Sequence, residues 1–165
     1  MTNVSIYFHI LDHGEENPVG YEHINCHLMF YVDMDFRRKA RFVAGGHTIN
    51  PPAESTYAGF VSGEIVHIYF NLAELNDLDI FAADIQNAYL TAPCGEKVIF
   101  TYGPEFGSEH KGKTAVVARA LYGLRSSGSA YCNHLASCVG SLHCLPCRSD
   151  PDFLMQKARK SNGTT

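Results

Sequence analysis

The stretch Ala83-Asp84-Ile85-Gln86-Asn87-Ala88-Tyr89-Leu90 decides how this chain is read. Together with the apolar residues just before it, it predicts a short buried strand over residues 80–85, broken by Asp84 and ending at a polar site. Tyr89 follows the acid five residues later. A carboxylate in such a setting is costly unless it is paired, hydrogen-bonded or bound to a metal ion. A second explanation stays open on this segment alone: Asp favours the N-cap position, so Asp84 could cap a helix that starts at Gln86.

Working outward, residues 27–32 are rich in Leu, Phe, Tyr and Val and predict a strand, and residues 41–44 predict another. Residues 33–38 form the bend, so the pair is a hairpin. Pro51, Pro52 and Gly59 mark a loop. Ile65, Ile68, Leu72 and Leu75 recur at helical spacing behind Ser62, an N-cap candidate. Residues 97–102 and 114–119 predict two more strands. Tyr131, Leu135, Cys138 and Leu142 predict a second helix. Strands and helices do not alternate strictly, so the expected class is α+β rather than a doubly wound sheet. Residues 1–20 read as a poorly structured lead-in, residues 21–155 as one folded region and residues 156–165 as a frayed tail.

With 165 residues, 45% of them apolar and 18% charged, the chain can bury a core and is not disordered throughout. Its net charge of −4 excludes a generally basic nucleic-acid protein, so any basic patch is local. Arg37, Arg38, Lys39 and Arg41 supply one, with four of the 13 basic residues inside five positions. Lys39 and Arg41 share a strand face and could meet one phosphate ligand. Charges that protect a solvated edge strand are the plainer alternative. No apolar run approaches the roughly 18 residues that span a bilayer, and no signal peptide is visible. The expected location is therefore cytoplasmic, with the six cysteines as thiols and the sequons at Asn3 and Asn162 unused.

Three further stretches stand in order around the first. They are Arg38-Lys39-Ala40-Arg41-Phe42-Val43-Ala44-Gly45-Gly46-His47, Ala120-Leu121-Tyr122-Gly123-Leu124-Arg125-Ser126-Ser127-Gly128 and Ser149-Asp150-Pro151-Asp152-Phe153-Leu154. Together the four resemble the reverse transcriptase of copia-type LTR retrotransposons, an RNA-directed DNA polymerase within the Pol polyprotein. The resemblance covers residues 21–155.

The resemblance implies a right-hand polymerase fold, of which this chain is the fingers and part of the palm. It places the hairpin and first helix in the fingers, Asp84 on the first palm strand and the second helix across the palm. It implies a dNTP and an RNA or DNA primer-template as partners, Mg²⁺ as cofactor and two-metal nucleotidyl transfer in the parent enzyme. Asp84 matches the first metal-binding carboxylate, and the Ile85 carbonyl matches a second ligand. Tyr89 matches the ring that excludes a 2′-hydroxyl. Lys39 and Arg41 match triphosphate contacts. Gly123 would let the backbone approach the nucleotide and template base, and Arg125 stands where family members usually carry Lys. Ser126-Ser127-Gly128 departs from a common Gln-Ala-Pro, which changes the polar groups of that loop.

Reverse transcriptases also use a Tyr-x-Asp-Asp turn for the remaining metal carboxylates, and no adjacent Asp pair occurs in these 165 residues. The expectation is a fragment of the parent enzyme, inactive alone, its partial palm sheet leaving an unpaired edge that aggregates or takes a partner, such as the rest of the polyprotein. A non-catalytic nucleic-acid-binding or interaction remnant is the alternative. A zinc module is a weaker one, built on Cys132, His134, Cys138, His143, Cys144 and Cys147 within 16 residues. The metal assignment predicts that Asp84→Asn, in a chain extended through a Tyr-x-Asp-Asp turn, abolishes Mg²⁺-dependent primer extension on an RNA template. Wild-type extension by that variant would remove Asp84 from the metal site.

Overall fold

The computed structural model describes residues 6–12, 15–52 and 55–156. In chain order the strands and helices begin with β1 (Phe8–Ile10), β2 (Glu22–His23), β3 (Cys26–Val32) and β4 (Arg38–Ala44). They continue with α1 (Gly63–Leu75), α2 (Ala88–Thr91), β5 (Val98–Thr101) and β6 (Thr114–Val117). They end with α3 (Ser127–Gly140), β7 (Leu145–Pro146) and β8 (Leu154–Met155). Two compact units result: Met1–Tyr57 with Asn87–Tyr131, and Ala58–Gln86 with Cys132–Thr165.

The first unit is built on a four-stranded sheet in the order β1-β6-β5-β2. β6 pairs antiparallel with both β1 and β5, and β2 pairs parallel with β5. Val98, Ile99 and Phe100 of β5 are all buried, as expected of a strand covered on both faces. The β3–β4 hairpin packs against this sheet through Phe42, which meets Phe100 at 5.2 Å and Phe106 at 5.1 Å between ring centroids. Phe8 meets Phe100 at 5.1 Å, edge to face. These tilted contacts suit the ring quadrupole and add to the gain from burial.

In the hairpin Leu28 faces Phe42 while Tyr31 faces Lys39, so alternate residues divide between a core face and an outer face. The outer face carries Tyr31, Lys39 and Arg41. At the bend Phe36 takes a left-handed backbone, φ 64°. Asp35 steadies the turn by accepting from the Arg37 backbone N–H at 3.2 Å.

In the second unit, α1 starts where its sequence says it should. The Ser62 hydroxyl accepts from the Ile65 N–H at 3.2 Å. The Ser62 N–H in turn donates to Asp150 Oδ2 at 3.4 Å, and Asp150 Oδ1 accepts from the Asp152 N–H at 2.9 Å. Phe153 meets Tyr69 of α1 edge to face at 4.8 Å. The Asp-Pro-Asp-Phe stretch thus holds the N-terminal end of α1.

Three expectations are corrected. Residues 80–85 form no strand: Ile80, Phe81 and Ile85 are exposed on an irregular segment. An apolar run becomes a strand only beside another strand, and the described part of the second unit offers only the two-residue pair β7–β8. The N-cap alternative fails too, because Asn87, not Asp84, precedes the short helix α2. The lead-in is not loose throughout, since β1 is an edge strand of the main sheet, and its Phe8 and the Leu11 that follows it are buried. From residue 157 the expected frayed tail lies outside the described residues.

Phe8 therefore belongs to the core, and Phe8→Ala should destabilise the first unit by about 3 kcal/mol, the usual cost of truncating a buried Phe. Val19→Ala, at a fully solvated position, should change stability by less than about 0.5 kcal/mol. Urea unfolding followed by far-UV circular dichroism checks both.

Candidate functional site

The residues proposed from sequence fall on both units. Lys39, Arg41, Tyr89, Gly123 and Arg125 belong to the first, Asp84 and Ile85 to the second. Within the first unit, β4 projects Arg41 onto the outer face of the hairpin. Its guanidinium lies over the Tyr31 ring at 4.8 Å and over the Tyr122 ring at 5.2 Å. Tyr122 continues to Tyr89, 4.9 Å away with planes 33° apart, and Tyr89 to Tyr131 at 6.0 Å. The structure thus brings Arg41 and Tyr89 into one cluster, and Tyr122 is the ring between them. A small cavity of about 160 Å³ adjoins the cluster, lined by Arg41, Tyr122, Asn87 and Leu90 among others.

Lys39 is engaged elsewhere. It forms an ion pair with Asp33 at the start of the bend. The hydrogen bond holds the Asp33 carboxyl below its ordinary range and raises the Lys39 ammonium. Both side chains are substantially exposed, so the pair contributes little and yields easily to a stronger anion. Arg125 is exposed and makes one long bond, Nη2 to the His47 carbonyl at 3.4 Å.

Gly123 has a reason within the fold itself. Its φ is +92°, and a Cβ there would overlap the Ala44 carbonyl oxygen. A Cβ on Gly46 would overlap the Gly123 carbonyl in the same way. The Ala44 N–H donates to the Tyr122 carbonyl at 2.7 Å, and Val43 bridges to Tyr122 in a parallel sense. Glycine is needed here for the protein's own backbone. Tyr31 and Tyr122 were not singled out from sequence; an aromatic two residues after Met29, the cross-strand partner of Arg41, would have been the signal for Tyr31.

Asp84 is exposed, on the irregular segment described above. Among the described residues no group of three His, Cys, Asp or Glu could hold a metal ion. Asp84 and the Ile85 carbonyl therefore do not by themselves fit Mg²⁺, and the residues from Cys132 to Cys147 gather no such group either. All six thiols are free. Burial pushes Cys26 up to about 12 and Cys94 to about 11, whereas hydrogen bonding from Ser149 holds Cys147 below its ordinary value. Among the described residues no helix is long and apolar enough to cross a membrane.

A mixed α/β unit that presents a ring-flanked arginine beside a glycine turn defines a candidate anion-binding surface. Comparison with known proteins adds an origin. In an alignment of 111 residues that covers 64% of its length, the chain is 33% identical to the Transposon Ty1-BL Gag-Pol polyprotein of Saccharomyces cerevisiae. The Ty1-DR4 and Ty1-DR6 Gag-Pol polyproteins of the same yeast match to the same extent. The chain spans 6–7% of these polyproteins. The similarity supports an origin in a copia-type retrotransposon. No protein-family model matches the chain, and no solved structure does.

The interlock predicts that Gly123→Ala is destabilising by more than about 2 kcal/mol, the sum of a left-handed backbone and a steric overlap. Gly112→Ala is the control, with a similar φ of +80° and open space around it. It should cost about 1 kcal/mol. Thermal unfolding of the two variants gives the comparison.

Proposed function

We propose that the chain is a retrotransposon-derived segment of a reverse transcriptase, comprising fingers and partial palm, and that its first unit binds the triphosphate of a dNTP. The observation that carries this reading is the cluster of Arg41, Tyr122 and Tyr89, in a chain similar to copia-type Gag-Pol polyproteins. Arg41 would meet phosphate oxygens with its planar fork of donors, and the two flanking rings restrict the side chain before a ligand arrives. Lys39 would join after exchanging Asp33 for phosphate. Tyr89 would set the floor on which the sugar rests and exclude a 2′-hydroxyl by contact. Arg125 would add a cation from the turn that follows Gly123.

Asp84 would be one ligand of a metal set whose other carboxylates are not among these 165 residues. No extension of a primer is expected from this chain alone. Primer-template binding, association with the remainder of a polyprotein and residence in a cytoplasmic particle belong to the same proposal. A second reading is favoured by the hairpin, where Arg38 lies among exposed Phe30, Val32 and Phe36. Such a surface suits single-stranded nucleic acid through phosphates and stacked bases.

Fluorescence titration with a labelled dTTP tests the first reading. Arg41→Ala should weaken binding about tenfold, the worth of one charge-assisted contact. Unchanged affinity in that variant would be evidence against a triphosphate at Arg41. Loss of oligonucleotide binding in Arg38→Ala, with dTTP unaffected, would favour the second reading.

A further inference from the structure

Glu96 is a buried carboxylate for which the reading above has no task. It stands in the turn that leads into β5, with 8% of its surface exposed. Its Oε1 accepts two bonds from one residue, the Ser126 N–H at 2.8 Å and the Ser126 Oγ–H at 2.6 Å. Its Oε2 is buried with no partner. An unpaired oxygen on a buried carboxylate costs free energy, so the bonds to Ser126 must offset a real penalty. Two circumstances make them strong. Both bonds converge on one carboxylate oxygen, and it lies at the N-terminal end of α3, where the helix dipole favours such an acceptor.

The residue held in this way is Ser126, immediately after Arg125. The Ser127 hydroxyl donates to the Leu121 carbonyl at 2.6 Å, which closes the same turn from its other end. Gly123 rests against Ala44 in between. Arg125 itself has only the 3.4 Å bond to the His47 carbonyl, so its direction is set by the backbone on either side. Ser126 and Ser127, the departure from the usual Gln-Ala, thus become the two anchors of the turn.

We infer that Glu96 is a positioning residue: it fixes the backbone of residues 122–126 through Ser126 and so aims Arg125 at the triphosphate. This rests on the nucleotide-binding reading of Arg125, and the experiment separates the two.

The full chain is compared as wild type, Glu96→Gln, Arg125→Ala and the double variant, with two readouts. The first is hydrogen exchange at the amides of residues 124–127. Glu96→Gln keeps one acceptor oxygen but replaces the other with an amide NH2, and exchange there should rise about tenfold while β5 and β6 stay protected. Unchanged exchange overturns the inference. The second readout is affinity for labelled dTTP. Glu96→Gln should weaken it about threefold, and the double variant should bind no more weakly than Arg125→Ala, because both changes remove one contact. Losses that multiply overturn the aiming of Arg125. If dTTP binds to none of the proteins, the nucleotide reading falls and the aiming with it, while exchange still decides whether Glu96 holds the turn. Should Glu96→Gln fail to fold, Ser126→Ala removes one of the two bonds and gives the same comparison.

Discussion

The contact between the end of β4 and the turn at Tyr122–Gly123 is the constraint on which the candidate site depends. It joins segments about eighty residues apart in sequence by one backbone hydrogen bond, from Ala44 to Tyr122, and by a backbone approach that only glycine permits. The hairpin cations and the turn before α3 have a fixed relation for that reason. Arg41 reaches Tyr122 because Val43 already bridges to it. A looser contact would leave an arginine on one element and a tyrosine pair on another. The glycines at 46 and 123 therefore read as parts of a backbone joint, and the ring cluster is what the joint positions.

The elements that could be read from sequence are those whose partners are near in the chain. The β3–β4 hairpin has its two strands adjacent, although β4 starts at Arg38, three residues before the predicted strand, because pairing with β3 carries it through Lys39 and Ala40. Helix α1 announces itself by apolar spacing and by Ser62, whose hydroxyl makes the expected cap. Among the strands that escaped notice are β1 and β2, three and two residues long. Their pairing partners lie near residues 116 and 98, and nothing local in Phe-His-Ile marks it as sheet rather than loop. The error at residues 80–85 is the converse. An apolar run there reads as a strand, although strand formation depends on a neighbour that the run itself cannot supply.

For the site, motif resemblance named residues but not their contacts. Arg41 and Tyr89 do fall together, yet the residue that links them, Tyr122, was noticed only as the neighbour of Gly123. Lys39 shares a strand face with Arg41 as alternation requires, but Asp33 lies within its reach across the bend. Glu96 gave no signal at all. A lone Glu among Cys94, Gly95 and Lys97 reads as solvated, and only the tertiary placement of Ser126 turns it into a buried acceptor.

The charge pattern of the hairpin narrows what a polyanion would meet there. A chain of net charge −4 gives no long-range attraction to phosphate, and salt screens such attraction beyond roughly 8–10 Å in any case. Attraction has to come from the four cations of the hairpin. Two of these are matched by acids of the same bend, Arg37 by Asp35 and Lys39 by Asp33. Among the described residues no carboxylate pairs with Arg38 or Arg41. Of these two, only Arg41 is restrained, because Tyr31 and Tyr122 flank it. A guanidinium held between rings loses little freedom on binding, and the rings do not compete for its in-plane donors as a carboxylate would. Within a cluster of four positive residues, the physical distinction therefore falls on one: Arg41 is the cation already oriented and still without an anion.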